Sequence, residues 1–486
     1  MTTLSTLNPN LLWSFFSQIC AIPHPSKHEA ALSLWIQQWA NSEGLTVKED
    51  KVGNLIIKKP ATPGMEDRKG VILQAHIDMV PQANAATRHD FTRDPIQPYV
   101  DGEWVRARGT TLGADNGIGA AACLAVLADK SLKHGPLEVL LTVDEEAGMG
   151  GAFGLEAGWL EGEILLNTDS EQDGEVYMGC AGGINANIRF PVARVASNSD
   201  ASAYTLTIKG LRGGHSGVNI HQERGNANKL IARLVHGLQQ TLPVQLSQID
   251  GGTLRNAIPR EASALIAIPA AEAARLVEQV ALLRQELQEE LKEVDAGLEI
   301  DLIQSTLPAT VMAPDAQQRL LYALLACPNG VIRMNQAIAG VVETSTNLGI
   351  ITTTEDQIQI QCLIRSLNQT GRHYVEQMIL SLFTLAGAEC HFDGAYPGWA
   401  PDPASPIMQL LQQSHTRLFG YEPKIMVIHA GLECGLFKSA YPHWDMVSFG
   451  PTIQGAHSPD ERVHIPAVEH FWQLLCELLT VIPQKA

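Results

Sequence analysis

The chain reads as an α/β protein: a mixed, largely parallel sheet sandwiched by helices, with an inserted α+β lid domain. Three observations predict this. Helical and strand patterns alternate through roughly the first 185 residues. Several strands are short, largely apolar runs of the kind buried on both faces. Residues able to do chemistry stand at the ends of those runs, where ligands gather in open α/β sheets.

Taken in order, apolar spacing predicts helices over 11–22 and 29–43 and strands over 45–49, 54–58 and 71–75, then a helix over 118–128 and strands over 137–142 and 164–167. Leu11, Phe15 and Ile19 fall four apart, the stripe of an amphipathic helix. The first basic residue is Lys27, so this opening segment lacks the charged flank of a secretion signal. From residue 188 the pattern changes. Strands over 204–209, 262–268 and 298–303 with helices over 226–240 and 271–294 suggest a split β-α-β unit. Segments 316–326, 341–353, 357–364, 374–387 and 389–392 repeat a similar series, as though one module were duplicated. A final strand over 445–449 precedes His457. The organisation expected is therefore one domain from 1–187 and 399–486, with 188–398 inserted as a lid. The run Pro401-Asp-Pro403-Ala-Ser-Pro406 would stiffen the second crossing.

Composition narrows the function. A chain of 486 residues exceeds one ordinary core, and its net charge of −18 comes without a basic stretch. That excludes nucleic acid and anionic membranes as partners. No apolar run approaches membrane-spanning length. The eight cysteines are scattered, with no C-x-x-C pair, which argues against a zinc-thiolate site or a disulfide framework. Most should be small buried side chains in a reducing compartment, and a soluble, cytoplasmic protein is expected. Cys434 beside Glu433 is a nucleophile only on paper, since no His/Asp pattern accompanies it.

The chemistry is carried by His76-x-Asp78, Asp115, Glu145-Glu146, Asp169 and His457. His76 and Asp78 follow the run 71–75 on the same side of an extended chain, so one can bind a metal while the other fixes the imidazole tautomer. Glu145 and Glu146 follow the run 137–142; adjacent carboxylates diverge, leaving one for a metal and its neighbour for protons. Asp169 ends the third run, Asp115 sits in a glycine-rich loop ahead of a helix, and His457 follows the last strand. Mixed nitrogen and oxygen donors suit two divalent ions, zinc before cobalt or manganese, and poorly suit magnesium or calcium.

The series His76-Ile-Asp78, Gly113-Ala-Asp-Asn-Gly117, Thr142-Val-Asp-Glu-Glu146, Asn167-Thr-Asp169, Gly213-Gly-His-Ser-Gly217 and His457-Ser-Pro459 resembles the co-catalytic zinc peptidases of the M20 family. The likeness runs from Ile22-Pro-His-Pro-Ser26 to Asp460, through Gly394-Ala-Tyr-Pro-Gly-Trp399 and His429-Ala-Gly-Leu-Glu-Cys-Gly435. It implies that Asp115 bridges two ions, that His76 and Asp169 complete one, and that Glu146 and His457 complete the other. It further implies Glu145 as general base, Asp78 as the orienter of His76, and a cis bond between Asp115 and Asn116. On the lid, His215 would hold an oxyanion, Arg365 a substrate carboxylate, and Asn256 another part of the substrate. The activity implied is hydrolysis of unblocked dipeptides, including Xaa-His such as β-alanyl-histidine. The residues alone leave open a deacylase or carboxypeptidase acting on N-acyl amino acids, and a non-catalytic metal-binding protein. A carboxylate beside a ligand serves a hydrolase better than a scaffold, and no G-x-G-x-x-G follows an early strand. Monomer and homodimer both stay open.

Overall fold

The computed structural model describes residues 4–485. It divides into two compact units, one holding residues to Gly179 with Trp399–Val427 and Leu432–Ala486, the other Cys180–Gly398 with Ile428–Gly431. The first ends ahead of the boundary expected at 187 because strand Gly182–Pro191 pairs along its whole length with Gln357–Ser366, inside the second unit's sheet.

The first unit is built on an eight-stranded sheet in the order Thr46–Glu49, Leu55–Lys59, Leu137–Thr142, Val71–His76, Ile164–Asn167, Asp445–Ser448, Glu175–Cys180 and Lys424–Ile428. From Leu137–Thr142 to Asp445–Ser448 neighbouring strands run parallel, with antiparallel pairs outside them. Every side chain of Val71–His76, Leu137–Thr142 and Ile164–Asn167 is buried. That burial is why these strands read as largely apolar runs. The register sets His76 opposite Thr142 and Gln74 opposite Asn167, so the loops that follow leave the sheet side by side.

Helix Ala114–Ala128 packs against Val71–His76 and against helix Asn10–Cys20. Its glycines and alanines allow the close approach; a Cβ on Gly117 would fall 3.1 Å from Phe16 Cε2 of helix Asn10–Cys20. Asp115 and Asn116 have non-helical φ/ψ, so the regular helix starts just past them, close to the expected Ile118. The proline run does not stay extended: Pro406 opens helix Pro406–Phe419, whose cap is Ser405, its Oγ accepting from Met408 N at 3.2 Å. A smaller sheet orders Ile453–Gln454, Arg462–His464, Trp104–Ala107 and Pro98–Asp101. His457 lies beyond strand Asp445–Ser448 and its loop, as expected, and within that loop it sits on the turn of a hairpin, with φ +63°.

The second unit's main sheet runs Glu299–Ser305, Ala201–Lys209, Ala262–Pro269, Gln245–Gly251, Val342–Thr353, Gln357–Ser366, Gly182–Pro191 and Glu389–Tyr396. Numbered within each half by chain order, both halves read 4-1-3-2 from the outer edge inward, and they meet where Gly251 pairs with Ile351. The sequence reading lacked two of these strands, Gln245–Gly251 and Gly182–Pro191. Helices Ala227–Gln239, Ala273–Leu291, Pro314–Ala326 and Gln369–Leu385 bury Leu230, Leu234, Leu276, Leu320, Ile379 and Phe383 in one apolar core with the sheet. Among the described residues no helix is long and apolar enough to cross a membrane.

Candidate active site

His76 ends its strand fully buried, and its Nδ1 lies 3.2 Å from Asp78 Oδ1 and 3.1 Å from the Asp78 carbonyl. Asp78 in turn accepts from the backbone N–H of Glu145 at 3.0 Å, that of Glu146 at 3.1 Å, and Ser26 Oγ at 2.8 Å. One carboxylate thus ties two parallel strand ends together and orients the imidazole. Burial would raise the Asp78 carboxyl, but His76, the Glu145 amide and Ser26 outweigh it and bring it down to about 2.

With Nδ1 so engaged, His76 Nε2 faces Asp115 Oδ1 and Asp169 Oδ1, each at 3.3 Å. His457 Nε2 faces the other oxygen of Asp115, Oδ2, at 3.1 Å, and Glu146 Oε1 at 3.0 Å. Asp115 therefore stands between two imidazoles with one oxygen turned to each. Ligand atoms of His76, Asp115 and Glu146 lie within 4.8 Å of one another. Glu146 Oε1 is buried, and the polar group it faces is the His457 imidazole. Donors spaced about 3 Å apart are what a cation holds around itself at bond lengths near 2.1 Å, so the residues fit two divalent ions. The Asp115–Asn116 bond is cis, as the resemblance implied. Asn116 Nδ2 donates to Asp169 Oδ1 and, at 3.0 Å, to the Thr168 carbonyl, so it fixes that carboxylate in place.

The electrostatics match that geometry. Burial opposes charge on His76, yet Asp169, Asp115 and Asp78 hold it well above the usual imidazole value. Hydrogen bonds to Asp115 and Glu146 push His457 up to about 11. Burial raises Glu145 well above the carboxylate range; His76 opposes this, while Asp169, Glu433 and Glu146 add to it. A carboxyl with a raised pKa is suited to taking up and releasing a proton near neutrality.

Three carboxylates went unrecognised in the sequence, two of them buried. Glu171, two residues past Asp169, is an exposed residue whose carboxyl is pushed up to about 8 by partial desolvation and then by Asp115 and Asp169. Glu433 accepts from Gln74 Nε2 at 2.6 Å and Thr142 Oγ1 at 2.9 Å beneath the strand ends, and burial lifts it to about 8. Gln74 also accepts from Asn167 Nδ2, whose Oδ1 accepts from Ser448 Oγ at 2.5 Å. Glu461 grips the loop that leads to Asp115. The available signal was polar residues inside otherwise apolar strands, Gln74 and Asn167, which need buried partners.

The remaining expected residues lie in the second unit. His215 Nδ1 accepts from the N–H of Gly217 at 3.1 Å and of Val218 at 3.0 Å, which leaves the proton on Nε2. That Nε2 is 3.4 Å from Arg365 Nη2, so two donors point into one place. Burial and then Arg365 bring His215 down to about 4. Arg365 is 5% exposed; its Nη1 donates to Tyr396 Oη at 3.0 Å, and its Nε has no partner. Nearby, His429 Nε2 meets Ser345 Oγ at 2.7 Å. Asn256 is exposed and contributes its carbonyl to Ser216 N at 2.8 Å. The structure brings His215 and Arg365 together, and gives Asn256 only a backbone link to that group.

A parallel sheet whose strand ends converge on paired imidazoles and a shared carboxylate defines a hydrolase of the two-metal type. The sequence model of peptidase family M20/M25/M40 matches residues 72–481, and the chain belongs to that family. It is 54% identical to the cytosol non-specific dipeptidase of Escherichia coli (strain K12) over 485 residues, covering 100% of both chains. The crystal structure of aminoacylhistidine dipeptidase from Vibrio alginolyticus superposes with a TM-score of 0.94 at 58% identity, covering 100% of this chain and 99% of that one. Aminopeptidase PepT from Bacillus cereus, at 16% identity, shares the fold, with a TM-score of 0.57 over 98% of each chain.

Proposed function

We propose that this protein is a metal-dependent dipeptidase acting on unblocked dipeptides, Xaa-His among them. The single observation that carries the reading is Asp115, whose two oxygens each face a different imidazole at 3.3 and 3.1 Å. In this reading Asp115, His76 and Asp169 would hold one ion, and Asp115, Glu146 and His457 would hold the other. Zinc suits the donor set best, with cobalt or manganese as substitutes. When bound, the ions acidify water at the site and polarise the scissile carbonyl.

The chain's own residues do the rest. Glu145 takes a proton from the attacking water as its oxygen bonds to the carbonyl carbon. It then returns the proton to the departing amine nitrogen as the C–N bond breaks. Asp78 keeps His76 Nε2 turned toward Asp115 and Asp169, and does so through contacts that also fix the Glu145 and Glu146 backbone. In the second unit, Arg365 pairs with the substrate's terminal carboxylate, His215 offers its Nε2 proton to the developing oxyanion, and Asn256 contributes a polar contact. A longer peptide would set a neutral amide against a buried guanidinium, a mismatch costing several kcal/mol. That is the origin of dipeptide selectivity in this reading.

The second unit is proposed as an inserted lid, residues 188–398 in outline, made of one split β-α-β module used twice; the matching 4-1-3-2 strand order of its halves supports this. The protein is proposed to work in the cytoplasm on small peptides. The test is metal analysis coupled to turnover of Xaa-His dipeptides, β-alanyl-histidine and N-acetyl amino acids, before and after chelation. Dipeptide hydrolysis that falls with chelation and returns with Zn²⁺ is expected. Preference for the acetylated substrates would establish the deacylase instead.

A further inference from the structure

Glu461 follows His457 by four residues and immediately precedes strand Arg462–His464. It is 2% exposed. Its Oε2 accepts from the backbone N–H of Leu112 at 2.7 Å and of Gly113 at 3.0 Å, and its Oε1 from those of Ala114 at 2.8 Å and Asp115 at 3.3 Å. Four successive amides of the loop that presents Asp115 thus converge on one side chain from the loop that presents His457. Convergence requires the turn at Gly113, whose φ of +72° is the left-handed conformation glycine adopts without strain. A Cβ there would also press on Met79 Sδ at 3.0 Å. Consecutive backbone N–H groups arranged in this way form an anion nest, and here the anion is built into the chain.

The arrangement is expensive for mere packing. The carboxylate is buried close to the charge of Asp115, where an ionised group is costly unless its oxygens are satisfied. Removing it would strand four buried donors, each of which costs free energy when unmet. Its two ends fix two things at once: where Asp115 leaves its loop, and how far that loop lies from the hairpin turn of His457.

We infer that Glu461 is the positioning residue of the metal centre, a carboxylate clamp that sets Asp115 and His457 in register before any ion arrives. The inference rests on reading Asp115 and His457 as metal ligands.

The test uses the full chain, stripped with chelator and titrated with Zn²⁺ against a chromophoric competitor. In Glu461→Gln the amide nitrogen replaces one oxygen and faces backbone donors, so the nest loses half its acceptors. Expected are two ions for the wild type and, for the variant, affinity for at least one ion about 10- to 100-fold weaker, the range for residues that orient metal ligands. KM for a dipeptide at saturating Zn²⁺ should not move. In the ion-free wild type, the amides of residues 112–115 should resist hydrogen exchange as strongly as those of strand Val71–His76. A Glu461→Gln protein with wild-type affinity for both ions overturns the inference. If that variant does not fold, rapid exchange of amides 112–115 in the ion-free wild type overturns it and slow exchange supports it. A wild type that binds no Zn²⁺ removes the ligand reading itself, an outcome separate from failure of the clamp.

Discussion

Replacing Arg365 with alanine separates what binds substrate from what holds the fold. The guanidinium is 5% exposed, its only hydrogen bond to a side chain with an acceptor to offer is that of Nη1 to Tyr396 Oη at 3.0 Å, and its Nε is unmet. The nearest nitrogen, His215 Nε2 at 3.4 Å, is itself a donor. A buried cation left so poorly matched is a place prepared for an anion. A charge-assisted contact to a substrate carboxylate is worth about 1.5 to 3 kcal/mol, and 1.4 kcal/mol is a factor of ten, so KM for a dipeptide should rise about 10- to 150-fold in Arg365→Ala. Stability should stay within about 1 kcal/mol of wild type or increase, because one phenol hydrogen bond is lost while the burial of an unpaired charge is relieved. The assays are steady-state kinetics on a dipeptide and on its C-terminal amide, with urea unfolding of both proteins. The wild type should prefer the free acid strongly and the variant should hardly distinguish the two. A variant that retains the wild-type KM, or the wild-type preference for the free acid, refutes the reasoning.

Glu145→Gln should retain both ions and lose about 10²- to 10⁴-fold in kcat, the usual worth of a general base; ion stoichiometry beside single-turnover rates checks this, and near-normal turnover would remove Glu145 from the mechanism. The second unit should weaken in acid because of His429, which burial and then Arg365 hold down at about 3, against an ordinary 6.5. Between those values the unfolded chain takes up a proton that the folded chain refuses. Stability is therefore lost as pH falls below 6.5, at up to about 1.4 kcal/mol per pH unit. Urea unfolding from pH 6.5 to 4 should show this slope reduced in His429→Gln; identical slopes would show that His429 does not titrate in this way.

What the sequence disclosed and what it withheld follow one physical division. Strands Val71–His76, Leu137–Thr142 and Ile164–Asn167 were legible because burial on both faces demands largely apolar residues, and the polar residues that end them, His76, Thr142 and Asn167, mark where each strand reaches the site. Strand Gly182–Pro191 was not, because it alternates buried and exposed side chains and its place is set by pairing with residues 357–366, far along the chain. The hairpin that carries His457 was hidden for a similar reason: two residues, Ile453 and Gln454, make one strand of it, too few to show a period. Asn256 was singled out by resemblance, and its backbone link to Ser216 is a relation no local pattern encodes. Glu433 and Glu461 could not be told from solvated glutamates, because burial of a carboxylate belongs to the fold and not to the residue.

Those unread carboxylates change how the centre is understood. Around His76 and His457 the first unit gathers Asp78, Asp115, Glu145, Glu146, Asp169 and Glu171, and burial together with mutual repulsion raises Glu145, Glu146, Asp169 and Glu171 above their ordinary values. Like charges this close cannot all stay ionised without compensation. Asp78 escapes because amides and a hydroxyl satisfy it, and Glu461 spends its charge on four backbone donors. The others have oxygens directed at one another and at two imidazoles, with little else to neutralise them. Such a cluster is held together by the sheet and the loops at a cost in stability, which cations of high charge density are suited to repay on binding. On the proposed reading, the affinity for metal is the other face of the strain: Asp78 and Glu461 are satisfied by protein donors, while Glu146 and Asp169, raised above their ordinary values, are left wanting.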